Sequence, residues 1–226
     1  MKFSTFLFVL IFLFSYAWSQ DIQDKKSFQK GRMVFNIHYL DSVLLKNPIQ
    51  ESSFPKEIIY VVSGNQYRIE IQSEFTGSSI LANLESKVSD TYIHFLNKNY
   101  KLHTNLDSLC QSAFSRTPYS LNFTKQYKEI QGFHCEKVQV HYSNPNLRDI
   151  ILYYTDEISN FPNPYNYAFY KIPGMIMELE ENFQGIPIRI ELLSLQKIPI
   201  DPDLFEPLKG YQTLSLDDFI KKSMEP

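Results

Sequence analysis

A period-two alternation of apolar and polar residues recurs along this chain and decides what it can fold into. In residues 186–192, Ile186, Ile188, Ile190 and Leu192 take one side while Pro187, Arg189 and Glu191 take the other. Successive side chains of a strand point to opposite faces, so this segment is a strand with one dry and one wet face. Residues 67–72 repeat the pattern, with Tyr67, Ile69 and Ile71 set against Arg68, Glu70 and Gln72. Met33, Phe35, Ile37 and Tyr39 form the apolar side of an earlier strand. Gly64-Asn65 separates the apolar run 58–62 from 67–72 and marks a hairpin, because glycine supplies the positive φ of a tight turn.

Further strands are read at 79–85, 91–96, 100–103, 124–130, 133–142, 150–155 and 175–181. Segment 133–142 changes parity: Phe133 and Cys135 fall on one face, Val138, Val140 and Tyr142 on the other. That predicts a bulge near Glu136-Lys137. A turn at 97–100 would place His94 opposite His103, near enough for two imidazoles to share a metal. No third ligand is identifiable, so no metal is expected there. Helical spacing appears in Leu106, Leu109, Cys110, Ala113 and Phe114 behind Asn105, and again in Leu216, Phe219 and Ile220 behind Ser215; Asp201-Pro202 opens a short turn. About ten strands with short connections and little helix predict a mainly β domain, a curved antiparallel incomplete barrel.

The chain's first nineteen residues have the form of a secretory signal. Lys2 precedes an apolar run to Phe14, and Ser15, Ala17 and Ser19 place small residues at alternate positions. The run is shorter than a membrane span of about 20 residues. Cleavage is expected after Ser19, or else after Ala17, leaving residues 20–226 as a single soluble domain, periplasmic or secreted. Phe and Tyr are abundant at 18 and 15, and Gly is scarce at 7, which favours sheet over disorder. A net charge of −3 without a basic cluster excludes nucleic acid as a partner. Cys110 and Cys135 are the only cysteines. In an oxidising compartment they are a candidate disulfide, worth about 3 kcal/mol by loop closure; two buried thiols are the alternative.

Catalytic constellations are missing from the sequence: there is no nucleophile elbow, phosphate loop, dinucleotide fingerprint or zinc-protease helix. Glu178 and Glu180 share the outer face of one strand, where two exposed acids are ordinary. His134 points away from its neighbour Cys135 and cannot serve it as a base. A non-catalytic protein without a cofactor is therefore expected.

Three stretches carry a family resemblance. Ile130-Gln-Gly-Phe-His-Cys-Glu-Lys137 resembles the I-x-G-[YF]-x-C-x-K hairpin of the GLPGLI family and related uncharacterised envelope proteins. Tyr153-Tyr-Thr-Asp-Glu-Ile158 resembles the strand that follows in that family. Ile172-Pro-Gly-Met175 stands where its naming motif stands, with Ile172 and Met175 in place of leucines and Lys171 in place of the first glycine. Pro207-Leu-Lys-Gly-Tyr211 resembles a further common ending. The resemblance covers residues 122–211. It implies a periplasmic protein of Gram-negative bacteria whose fold is similar to the LolA/LolB lipoprotein carriers, a curved antiparallel incomplete barrel with an apolar concave face.

Two functions compete on this basis. In the first, Tyr67, Ile69, Ile71, Ile186, Ile188 and Ile190 line a face that binds a lipid, a lipoprotein's acyl chain or an apolar peptide. The same side chains could instead be plain core. In the second, the domain is structural or holds an envelope protein partner through the aromatic loop 161–170, with Tyr165, Tyr167, Phe169 and Tyr170.

Overall fold

The period-two segments pair in the order in which the chain lays them down, with one exception that organises the whole molecule. The computed structural model describes residues 26–40, 52, 54–95, 98–106, 118–159, 169, 171–183 and 186–224. Strands β2 (Lys30–Tyr39), β3 (Glu57–Ser63), β4 (Gln66–Gln72), β5 (Thr76–Asn83), β6 (Val88–Phe95) and β7 (Lys98–Asn105) form one antiparallel meander. Strands β8 (Tyr119–Ile130), β9 (Phe133–Tyr142), β10 (Ile150–Thr155), β12 (Met175–Phe183) and β13 (Ile186–Gln196) form a second. The exception is the seam: the first strand of one meander pairs with the last of the other, Ile37 opposite Ile190 and His38 opposite Arg189. The result is one sheet of 12 strands, curved and not closed, with β8 at one edge and β14 (Gln212–Leu214) at the other. A two-residue parallel pair, β1 (Lys26–Ser27) with β11 (Ile158–Ser159), lies outside it.

The tail clasps the β7 edge. After β13, Asp201 caps a 3-10 turn at Pro202–Phe205, and Arg68 of β4 donates to the Leu204 carbonyl at 2.8 Å. Tyr211 then meets the ring of Tyr92 edge-on, centroids 5.1 Å apart. Arg68 and Tyr92 share one face of the sheet by register. β14 next pairs parallel with β7, and helix α1 (Leu216–Met224) follows. Ser215 caps α1 reciprocally: its Oγ accepts from the Asp218 amide at 3.1 Å and donates to the Asp218 carboxylate at 2.6 Å. Phe219 of α1 packs edge-on against Tyr100, whose register partner Ile93 lies on the face opposite Tyr92. The tail therefore crosses one face, extends the edge and returns on the other face.

Two expectations of register are corrected. The parity change at 133–142 is no bulge in β9, whose pairing with β10 is regular. The irregularity sits in β8, where Phe123 faces Val138 and Tyr127 already faces Glu136. Lys125 takes φ 56° there, and the Thr124 hydroxyl donates to the Lys137 carbonyl at 3.0 Å. β9 carries apolar residues on both sides because both sides are covered. Val138 and Val140 pack with Leu152, Leu179, Phe169 and Ile172, while Cys135 is buried on the opposite face. The β6–β7 turn comes two positions earlier than expected, with Phe95 opposite Lys98, so His94 faces Asn99 and His103 faces Asp90. Of the helix expected behind Asn105, only Leu106 falls among the described residues; the apolar N-terminal segment, Cys110 and most of 161–170 lie outside them.

Candidate functional site

Register places a continuous apolar face across the seam. Tyr67, Ile69 and Ile71 of β4 pair with Val62, Tyr60 and Ile58 of β3. These pair in turn with Gly31, Met33 and Phe35 of β2, and Phe35 with Leu192 of β13. Ile186, Ile188 and Ile190 continue the same face beside Tyr39 and Ile37. The six residues proposed from the sequence are thus brought onto one face and into one cluster. Five are buried, and Ile71 is half-buried against them. By register the same side of the sheet continues through Leu179, Leu152 and Val138 of β12, β10 and β9, which form a separate cluster with Phe169 and Ile172.

One acid interrupts it. Glu181 of β12 pairs with Ile188, which pairs with Tyr39. On its other side Glu181 comes level with Ile150, one step beyond the Ile151–Glu180 pair. Ile150 faces Val140, two residues from Tyr142, which faces Tyr119 of β8. Glu181 is half-buried, and among the described residues its carboxylate has no hydrogen-bond or ion-pair partner. Burial among these apolar neighbours pushes its carboxyl pKa up to about 7. The phenols of Tyr39 and Tyr142 are raised as well, again chiefly by burial. The signal was present in the sequence: in Met175, Met177, Leu179, Glu181 an acid occupies the apolar parity of its strand.

The opposite face of the second meander holds a different arrangement. Glu178, expected to be exposed, is 3% exposed. The Lys128 Nζ of β8 reaches its Oε2 at 2.5 Å and stands 4.0 Å above the Tyr153 ring on the way. A buried carboxylate requires such a partner, which an isolated strand pattern cannot show. Cys135 lies on this face too. Its thiol is free and buried, and its Sγ donates to the Phe133 carbonyl at 3.3 Å; Cys110, the other half of the candidate bridge, lies outside the described residues. Desolvation pushes the thiol pKa up to about 12, leaving it protonated and unreactive.

Three histidines are held by side-chain acceptors. His94 Nδ1 lies 2.6 Å from Asn99 Oδ1, His103 Nδ1 lies 2.7 Å from Asp90 Oδ1, and His141 Nδ1 lies 2.7 Å from Asp149 Oδ2. Among the described residues no three His, Cys, Asp or Glu side chains gather as metal ligands would. Of the aromatic loop, Phe169 is described, and it is buried against Tyr119 at 5.9 Å.

Neither a family model nor a curated protein matches the chain. Solved structures do. PNGF-II in two crystal forms superposes with TM-scores of 0.52 and 0.51, at 14% and 16% identity, covering 87% and 86% of this chain. The chain spans about a third of the length of those structures, 33% in each. A β-barrel-like protein of a domain of unknown function from Brucella abortus matches at TM-score 0.38 and 7% identity, covering 77% of this chain and 100% of that one. At these identities the PNGF-II likeness concerns the fold alone, and the class that the sheet itself defines is a mainly antiparallel, curved and open β fold.

Proposed function

We propose that this chain is an exported, non-catalytic envelope protein that binds an apolar ligand against the face built from Tyr67, Ile69, Ile71, Ile186, Ile188 and Ile190. The observation that carries the reading is the continuity of that face across the seam, in a sheet that curves without closing. Open curved sheets of this kind offer concave, mostly apolar sites with few polar anchors. Placement in the periplasm rests on the signal-like residues 1–19, and kinship with the GLPGLI family rests on the motifs at 130–137, 153–158 and 172–175.

Native mass spectrometry of the protein purified from an envelope fraction, followed by organic extraction, tests the reading. A stoichiometric lipid, acyl chain or acylated peptide is the expected result. An apo mass that stays unchanged after incubation with envelope lipids would overturn it. That outcome would favour an envelope interaction domain, for which the exposed Phe123 and Tyr127 on edge strand β8 are the supporting observation.

A further inference from the structure

The apolar face contains a feature that a purely apolar ligand would not require. From β2 to β8, at the end of the sheet marked by the 183–186 hairpin, the face presents Tyr39, Ile188, Glu181, Ile150, Val140 and Tyr142 in sequence. A carboxylate in such a row is costly unless something compensates it. Nothing described does so. Ile188 and Ile150 flank it, Tyr142 is close enough to feel its charge, and Arg189 lies on the opposite face beside Glu180. Tyr119 faces Tyr142 across β8–β9, and the cation above it, Lys171, stands 5.6 Å over the Tyr119 ring. The pair on the other side of the sheet shows what this fold does with a buried acid that has only a structural role: Glu178 is given Lys128.

We infer that Glu181 is the polar anchor of the ligand site and takes the ammonium head of an amphiphile whose chain lies along Ile188, Ile190 and the apolar face beyond. This deepens the apolar-ligand reading and rests on it. An unpartnered carboxylate near the Tyr142 ring supplies both interactions that an ammonium group needs: a counter-charge in a partly desolvated setting and an electron-rich aromatic face. The carboxyl pKa near 7 fits this assignment, since only the ionised form can pair with the head group. Affinity for a cation should therefore rise as pH rises through neutrality.

Three ten-carbon probes separate the ideas: decylammonium, decanol and decanoate, titrated calorimetrically into the full chain at pH 6 and pH 8. Decylammonium is expected to bind about tenfold more tightly at pH 8, as proton linkage to a group near 7 requires. Decanol should bind equally at both pH values, and decanoate more weakly at pH 8. Glu181→Gln, nearly isosteric, should remove the pH dependence and weaken decylammonium by tenfold or more, while decanol binding stays intact and shows that the variant is folded. The pH comparison in the unmodified protein stands without the variant. Decylammonium binding no better than decanol, with no pH dependence, would overturn the anchor and leave the apolar-ligand reading in place. Failure of all three probes to bind would overturn both.

Discussion

The two meanders use the same alternation but handle charge differently. In β2–β7 the charged residues keep to one face and pair with near neighbours: Arg68 with Glu70 at 2.5 Å, and Asp90 with Lys101 and His103 at 2.7 Å each. These side chains stay partly exposed, where an ion pair contributes little and costs little. In β8–β13 partly exposed local pairs such as His141–Asp149 and Arg189–Glu191 recur, but two acids also go inside. Lys128 spans from β8 to β12 to meet a Glu178 that water barely reaches, and Glu181 interrupts an apolar face with no partner. Local pairing preserves a wet surface. Long-range pairing, or none, marks a region where both faces are covered and where polar groups need a specific reason to be present.

The largest test of this difference concerns glycine. A Cβ at Gly174 would meet the Thr155 carbonyl oxygen at 2.0 Å, a backbone atom that cannot move aside. Gly174→Ala should therefore cost upwards of about 3 kcal/mol by denaturant melt. Gly64, in the β3–β4 hairpin, has φ +61° and open space around it. Gly64→Ala should cost only the left-handed penalty of about 1 to 2 kcal/mol. Equal costs would show that Gly174 is no more tightly enclosed than Gly64.

Next in size are the ion pairs. Lys128→Ala strands Glu178 and should cost about 3 kcal/mol, the low end for a buried pair because the lysine side chain is itself 34% exposed. Arg68→Ala should cost about 1 kcal/mol or less, with chemical denaturation reporting both. A double change, Lys128→Met with Glu178→Leu, should recover most of the loss.

Smaller again is the contribution of Glu181 to pH dependence. Its carboxyl is raised in the folded protein, so the stability that this group lends is full below the ordinary carboxylate range. It declines as pH rises to about 7 and is constant above that. At about 1.4 kcal/mol per pH unit, and allowing for partial exposure, the decline is about 2 kcal/mol. Melting curves of the parent and Glu181→Gln at pH 4.5 and pH 7.5 should converge at the acid end and separate at the basic end, the variant being the more stable. Parallel curves would remove the proposed burial. The smallest effect expected is none: with Cys135 free, reductant should leave the melting temperature unchanged, and a fall of several degrees would restore the bridge to Cys110.

What could be read in the sequence follows the same division. The β3–β4 hairpin, the clean strand 186–192, the Asp201 turn and the Ser215 cap were all legible because each is decided by residues within a few positions of one another. So was the common face of Tyr67, Ile69, Ile71, Ile186, Ile188 and Ile190. The pairing that makes that face continuous, β2 with β13, depends on residues far apart in the chain and leaves no local mark. The parity change in β9 read as a bulge because a single strand cannot show that a second layer covers its other side. His94 and His103 were matched through a hairpin turn set two positions too late, and moving the turn separates them. Glu178 looked like a surface acid for want of sight of Lys128, fifty positions away in sequence. Glu181, by contrast, was visible as an acid in an apolar register.

The β2–β13 seam also sets the order in which this protein can become itself. Its central pairing joins Met33 with Leu195 and Ile37 with Ile190, so the middle of the sheet is made from strands far apart in the chain. Until β13 emerges, β2 has no neighbour on that side, and a growing chain carries a bare strand rich in Met33, Val34, Phe35 and Ile37. Non-local pairing of this kind is slow and leaves such an edge open to wrong partners. Pairing of β2 on its second side is therefore complete only once β13 has been made.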